Sequence, residues 1–182
     1  MSNLISSRRR SIAAAALVLG LAAAPMACKR RKPQVQTIEE APTLASVVAT
    51  ADPHLTRQLI SGFFGVEQNA WRWTTGRFSV VLRPPASAAG KGATLQLQFA
   101  IPDLAMAKYK ELTLSAYMNG TALPPETYTK AGQFTYSRDV AASLFSGDVA
   151  RVDFAVDKTM PPTPSDRREL GVVVSVIGFQ PK

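Results

Sequence analysis

From Phe63 onward the chain alternates apolar and polar residues with a period of two. Leu95, Leu97, Phe99 and Ile101 alternate with Thr94, Gln96, Gln98 and Ala100. Leu112, Leu114, Ala116 and Met118 alternate with Glu111, Thr113, Ser115 and Tyr117. Val152, Phe154 and Val156 repeat the pattern, as do Phe78, Val80 and Leu82, and more briefly Phe134 and Tyr136. Successive side chains of a strand point to opposite faces, so each run predicts a strand with one face in a core. Trp71–Thr75 predicts another strand. Val172–Phe179 is apolar on both faces and predicts a central or doubly covered one. Asn119-Gly120 predicts a hairpin turn, because both residues tolerate positive φ. Pro84–Gly92 and Met160–Asp166 read as long loops. Seven to nine short strands with frequent turns predict an all-β domain, an antiparallel β-sandwich with the jelly roll as one form of it.

Ahead of the strands the pattern changes. Asp52-Pro53 has the chemistry of a helix start, with Leu55 and Leu59 on one face and Gly62 as a C-cap. This predicts a short helix over Pro53–Ser61. Pro33–Ala51 has no clear period and reads as a linker, with a short helix near Leu44–Ala49. The expected organisation is therefore a signal peptide over 1–27, a basic linker and tether over 28–51, and a β-sandwich domain with a short leading helix over 52–182.

The N-terminal pattern is that of an address. Arg8–Arg10 precede an uncharged apolar run, Ile12–Ala24, of 13 residues. A bilayer span needs about 20, so the run suits the core of a secretory signal peptide. It ends at Pro25-Met26-Ala27-Cys28, and Cys28 is the single cysteine of the chain. This resembles the lipobox of bacterial lipoproteins, in which a cysteine after a small residue takes the lipid; Pro25 stands where leucine is usual. The alternative is an ordinary signal peptide with an incidental cysteine. Ser7-Arg8-Arg9 can be read as a plain basic region or as the start of a twin-arginine signal.

Charge sharpens this picture. The formal net charge is +8, but its distribution is uneven. Residues 1–28 hold three arginines and no acid, and Lys29, Arg30, Arg31 and Lys32 follow directly. From residue 33 there are 14 basic and 13 acidic residues. A nucleic-acid-binding domain carries its basic stripe on the fold itself, so no nucleic-acid partner is expected. Beside a lipidated Cys28, the Lys29–Lys32 cluster would be drawn to anionic headgroups, at about 1 kcal/mol per charge near the surface. The expected location is the bacterial cell envelope, exported and membrane-anchored.

Three segments carry a family resemblance. Gly62-Phe63-Phe64-Gly65-Val66-Glu67 runs into Trp71-Arg72-Trp73-Thr74. Met118-Asn119-Gly120 with Leu123 sits in a hairpin. Asp166-Arg167-Arg168-Glu169-Leu170-Gly171 leads into the last strand. In that order they resemble an uncharacterised bacterial β-sandwich module, found alone or beside glycosyltransferase and polysaccharide-related domains. The resemblance implies a non-catalytic surface or carbohydrate-related role.

Candidate chemistry is sparse. His54 is the only histidine and lies ahead of the strands, which argues against a Ser-His-Asp or Cys-His site. No cofactor or metal motif is present in the sequence. Asp153 and Asp157 share a strand face; as paired carboxylates they could serve an envelope hydrolase or bind calcium, but Arg151 shares that face and points to a solvated surface. Trp71 and Trp73 share one side of a strand and Arg72 takes the other. Tryptophan is mostly buried, so core packing is the expected role; exposed, the pair would stack on sugar rings. Asp166, Arg167, Arg168 and Glu169 form either a polar ligand site or an arginine–carboxylate brace on the proline-rich loop, and a brace fits better. The function expected is a non-catalytic envelope module binding a glycan or an envelope protein, with a carboxylate hydrolase or a purely structural envelope protein as alternatives.

Overall fold

The computed structural model describes residues 43–182. The signal peptide, Cys28 and Lys29–Lys32 lie outside the described residues. The strands are β1 (Val47–Ala49), β2 (Leu59–Glu67), β3 (Trp71–Leu82), β4 (Ala93–Ile101), β5 (Leu112–Met118), β6 (Thr121–Tyr128), β7 (Gly132–Val140), β8 (Ala150–Val156) and β9 (Val173–Pro181). Two short helices, α1 (Ala88–Lys91) and α2 (Asp103–Tyr109), sit in connections.

All pairings are antiparallel, in the order β6-β5-β8-β3-β9-β4-β7. The domain is an antiparallel β-sandwich. The expected Trp71–Thr75 and Phe78–Leu82 strands are one long strand, β3, which joins the two layers. Its first half pairs with β9 through Arg72 and Trp73, and its second half pairs with β8 from Arg77 to Leu82. The period-two residues behave as their pattern dictates. Leu95, Leu97, Leu114, Ala116, Met118, Val152, Val80 and Leu82 are all fully buried. Phe78 stacks on Phe154 at 5.0 Å, and Phe145 meets Phe179 edge-on at 5.3 Å. Burial of each large apolar side chain contributes roughly 1.5–3 kcal/mol.

The ends of the strand order, β6 and β7, meet at a seam. Pro124 and Pro125 lack the N–H groups that would extend the ladder. Side chains take over: the Tyr136 hydroxyl donates to the Pro124 carbonyl at 2.8 Å, and Arg138 donates to both proline carbonyls at 2.8 and 3.1 Å. Arg138 also pairs with Glu126 at 2.8 Å.

The segment ahead of β2 differs from the sequence expectation in three ways. Val47–Ala49 is a strand and not a helix, and it belongs to the sheet and not to a linker. Where β3 leaves β9 for the other layer, β1 takes its place, pairing Val47 with Gly178 and Ala49 with Val176. Val48 is fully buried. Gly178 has no Cβ, which would lie 2.7 Å from the Val47 Cα, so the strands can approach closely. Second, the helix expected over Pro53–Ser61 is one 3₁₀ turn, Thr56–Gln58, and β2 begins at Leu59. Asp52 does cap, but only a local turn, accepting the His54 N–H at 2.8 Å. Third, Gly62 is a bulge in β2, not a helix cap. Its φ is +78°, and a Cβ there would collide with the Arg77 carbonyl.

Gln58 explains why the turn stops where it does. Its side chain is fully buried and behaves like a piece of strand. It accepts the Ala45 N–H at 2.8 Å and donates to the carbonyls of Ala45 and Val81 at 3.0 and 2.8 Å. Nothing in the hydrophobic pattern marks this residue. Helix α2 was likewise not expected within a run of strands; Tyr109 pins it by donating to the Thr159 carbonyl at 2.6 Å.

Candidate functional site

The β2–β3 hairpin places the tryptophans. Gln68 and Asn69 both take positive φ, 51° and 53°, and the Ala70 N–H returns to the Glu67 carbonyl at 3.1 Å. Two successive left-handed residues make the tight hairpin turn that matches strand twist. Trp71 therefore stands directly opposite Glu67. Alternation then sends Trp71 and Trp73 to one side of β3, and Arg72 and Thr74 to the other.

The outer side belongs to the tryptophans, which corrects the expectation of core packing. Both are half-buried, while Thr74 is fully buried. Trp73 is paired with Val173, whose neighbour Val174 faces the core. The indoles meet edge to face, 6.2 Å apart and at 84°. Arg72 points inward at the end of the sandwich. It donates to the carbonyls of Thr50 at 2.6 Å and Phe64 at 2.9 Å, and to the Thr56 hydroxyl at 3.2 Å. Arg72 thus ties the leading segment to β3 and is spent on structure.

Each tryptophan borders its own depression. Trp71 closes one end of a cleft of about 470 Å³ on the outer face of β9, β4 and β7, lined by Gln98, Gln133, Phe134, Thr135 and Ser175. Gln98 and Gln133 are exposed. Trp73 forms one wall of a smaller pocket of about 230 Å³ with Pro102, Leu104, Met160, Leu170 and Arg168.

The Asp166–Glu169 segment separates into two kinds of residue. Arg168 is the brace. Its Nε and Nη2 donate to the two carboxylate oxygens of Asp166 at 3.0 and 2.8 Å. Its Nη1 reaches Glu67 at 2.7 Å, across 101 residues of sequence. The guanidinium also lies 5.2 Å from the Phe64 ring. Side-chain and backbone hydrogen bonds from Arg168 hold the Asp166 carboxyl down to about 2. The same bonds, Asp166 first and Glu67 second, raise the Arg168 guanidinium above its ordinary value. The proline-rich loop is closed behind it by reciprocal backbone bonds between Met160 and Leu170 at 2.7 and 2.9 Å. Arg167 is exposed and makes no hydrogen bond or ion pair among the described residues. Glu169 accepts from the Thr159 hydroxyl at 2.6 Å, away from Arg168. Of the residues singled out in sequence, the structure therefore gathers Trp71, Trp73, Asp166 and Arg168 at one corner, and adds Glu67, Leu104 and the two glutamines. The glutamines carried no signal of their own, being the polar half of ordinary strand alternation.

On the opposite outer face, Arg151 and Asp153 form an ion pair at 2.8 Å, and Ser79 donates to Asp153 at 2.5 Å. Partial burial pushes the Asp153 carboxyl up, but the bonds from Arg151 and Ser79 together outweigh it and leave it lowered. Asp157 accepts the Thr113 N–H at 2.7 Å and lies 3.6 Å from Lys158. The two carboxylates are each occupied, which is the solvated-face arrangement. His54 is exposed in its turn. Among the described residues, no cluster of three or more His, Cys, Asp or Glu side chains is placed to hold a metal ion.

No protein-family model matches the chain, and no curated protein matches it. Solved structures with a related strand arrangement include an acetyl xylan esterase from Butyrivibrio proteoclasticus, at 11% identity and a TM-score of 0.42, covering 78% of this chain and 34% of that one. A CBM51-2 structure in complex with GlcNAc, from Clostridium perfringens ZmpB, aligns at 11% identity and a TM-score of 0.36, covering 78% and 29%. A CBM4 structure aligns at 11% identity and a TM-score of 0.37, covering 75% and 85%. The chain spans about a third of the length of the esterase structure. Likeness at this level is a likeness of strand arrangement, and the functional argument rests on the site.

Proposed function

We propose that this chain is an exported, non-catalytic β-sandwich, anchored by a lipid on Cys28, that binds a saccharide in the Trp71 cleft. One observation carries the binding reading: a half-buried indole lines a cleft whose polar side chains, Gln98 and Gln133, are exposed and have no hydrogen-bond partner among the described residues. A sugar ring offers an apolar C–H face for stacking and a rim of hydroxyls that both donate and accept. Indole plus primary amides matches that need, since each amide supplies donors and an acceptor. A cleft of 470 Å³ is within the range that holds small ligands. The non-catalytic reading is supported by the engagement of Asp153 and Asp157 with fixed partners and by the position of His54.

The chain joins the sheet where Ser46 accepts the Phe179 N–H at 2.8 Å. Val173, beside Trp73, is at the other end of β9. The first described strand thus enters the sheet at the end of β9 opposite the tryptophan corner.

A glycan array probed with the purified full chain tests the binding reading, with Trp71→Ala as control. Binding that Trp71→Ala abolishes is the expected result; no binding, or binding indifferent to the substitution, refutes it. Fatty-acid labelling of the wild type and not of Cys28→Ser is the expected result for the anchor.

A further inference from the structure

The pocket beside Trp73 has no role in the reading above. It neighbours the saccharide cleft, because Trp71 and Trp73 meet edge to face and each lines one of the two. Its character is different. Pro102, Leu104, Met160 and Leu170 make it apolar, where the neighbouring cleft is rimmed with amides and hydroxyls. Leu104 is 69% exposed at the first turn of α2, so it offers apolar surface at the mouth of the pocket.

Three observations define what fits. The first is size. A volume of 230 Å³ is below the roughly 300–1,000 Å³ that holds a whole small ligand, so it suits a substituent of one bound next door. The second is charge. Among the described residues Arg168 is the one cation lining it, and it is already shared between Asp166 and Glu67 at 2.8 and 2.7 Å. With two carboxylates to one guanidinium, an anionic group gains nothing there, and an uncharged one is favoured. The third is rigidity. Tyr109 pins α2, the Met160–Leu170 bonds close the loop, and Arg168 ties that loop to β2. The pocket is formed before any ligand arrives, so little ordering opposes binding.

We infer that the ligand is an acylated saccharide, whose sugar ring lies on Trp71 and whose short uncharged acyl group enters the Trp73–Leu104 pocket. This rests on the saccharide reading of the Trp71 cleft. N-acyl amino sugars and O-acyl esters both present this chemistry.

The test uses the full chain and a matched ligand series: a parent hexose, its 2-N-acetyl and 2-N-butanoyl amino derivatives, and its 2-O-acetyl ester, each titrated calorimetrically. Acylated sugars are expected to bind more tightly than the parent. Each added methylene should tighten binding about fourfold, so butanoyl should exceed acetyl by about an order of magnitude. The amide and ester arms separate the two sources. Leu104→Asp places a carboxylate at the mouth of the pocket on an exposed position, and the ratio of acylated to parent affinity should collapse toward one. If the hexose binds in a Trp71-dependent way but acylation brings no gain, or Leu104→Asp leaves the gain intact, the acyl inference is overturned alone. If no member of the series binds, it falls together with the saccharide reading.

Discussion

The first half of β3 has two sides, and they do opposite work. Inward, Arg72 and Thr74 are fully committed. Arg72 bonds the carbonyls of Thr50 and Phe64, and the Thr74 hydroxyl donates to the Val172 carbonyl at 3.1 Å and accepts the Val172 N–H at 3.1 Å. Outward, Trp71 and Trp73 are only half-buried and lie beside polar groups that have spare capacity. Adjacent residues of one strand thus divide into those that hold the fold and those available to a partner. Substitutions on the two sides should therefore separate stability from binding.

The largest effect should come from the segment that Arg72 and Gln58 hold. A chain beginning at Asp52 loses β1, the buried Val48, and the Ala45 groups bonded to Gln58. It also leaves the edge of β9 beyond Ser175 unpaired. A chain beginning at residue 43 should unfold cooperatively, and one beginning at Asp52 should not; equal thermal transitions would falsify the structural role given to β1. Next is Gln58→Leu, which is similar in volume but leaves Ala45 and Val81 backbone groups without partners. Unsatisfied buried groups cost about 1–3 kcal/mol each, so the melting temperature should fall by roughly 10 °C with saccharide affinity unaffected in the folded fraction. A fall of a degree or two would mean that water replaces the amide.

On the outer side the expected signs reverse. Trp71→Ala should abolish saccharide binding while lowering the melting temperature by less than Gln58→Leu does. A variant that loses stability and binding in parallel would show the indole to be core after all. Binding lost with Arg72→Met at unchanged stability would break the comparison from the other side.

How far the sequence reveals this division depends on range. Leu95–Ile101 and Leu112–Met118 were legible because a core on one face imposes a period of two along a single run. Val47–Ala49 is too short to show a period, and its strand character comes from Gly178, more than a hundred residues away. Asp52 accepts the His54 N–H, but in a local turn and not at the start of a helix, because Gln58 meeting Val81 takes the chain into β2. The same holds for the tryptophans. Their sharing of a side follows from alternation; which side faces solvent depends on Val173 and the cleft beyond it. Arg168 could be suspected from its neighbour Asp166, whereas its bond to Glu67 spans 101 residues and no local pattern contains it.

The brace offers a finer test, because two adjacent arginines differ only in what they touch. Arg168 has about a third of its side chain exposed and all three of its guanidinium nitrogens bonded to two carboxylates; Arg167 makes no such bond among the described residues. Ion pairs at that exposure contribute up to about 1 kcal/mol. Arg168→Ala should lower the melting temperature by a few degrees, and Arg167→Ala should leave it unchanged within error. Equal shifts from both would mean that net charge, not the brace, is responsible.

The smallest effect is confined to acid. Asp166 has its carboxyl lowered from 3.8 to about 2, chiefly by the Arg168 hydrogen bonds. A folded-state value below the unfolded one means that the unfolded chain takes up its proton first as pH falls. The stability linked to Asp166 is therefore fully present above about pH 4, declines between that and pH 2, and is absent below. Asp139 and Asp153 are also lowered, so the wild type loses stability in acid for more than one reason. Asp166→Asn isolates one contribution. The variant should be less stable than wild type at neutral pH, and the gap between their unfolding midpoints should narrow as pH drops from 4 to 2. A gap that stays constant over that interval would place the Asp166 carboxyl free of Arg168 in solution, and would remove the brace from the loop that walls the Trp73 pocket.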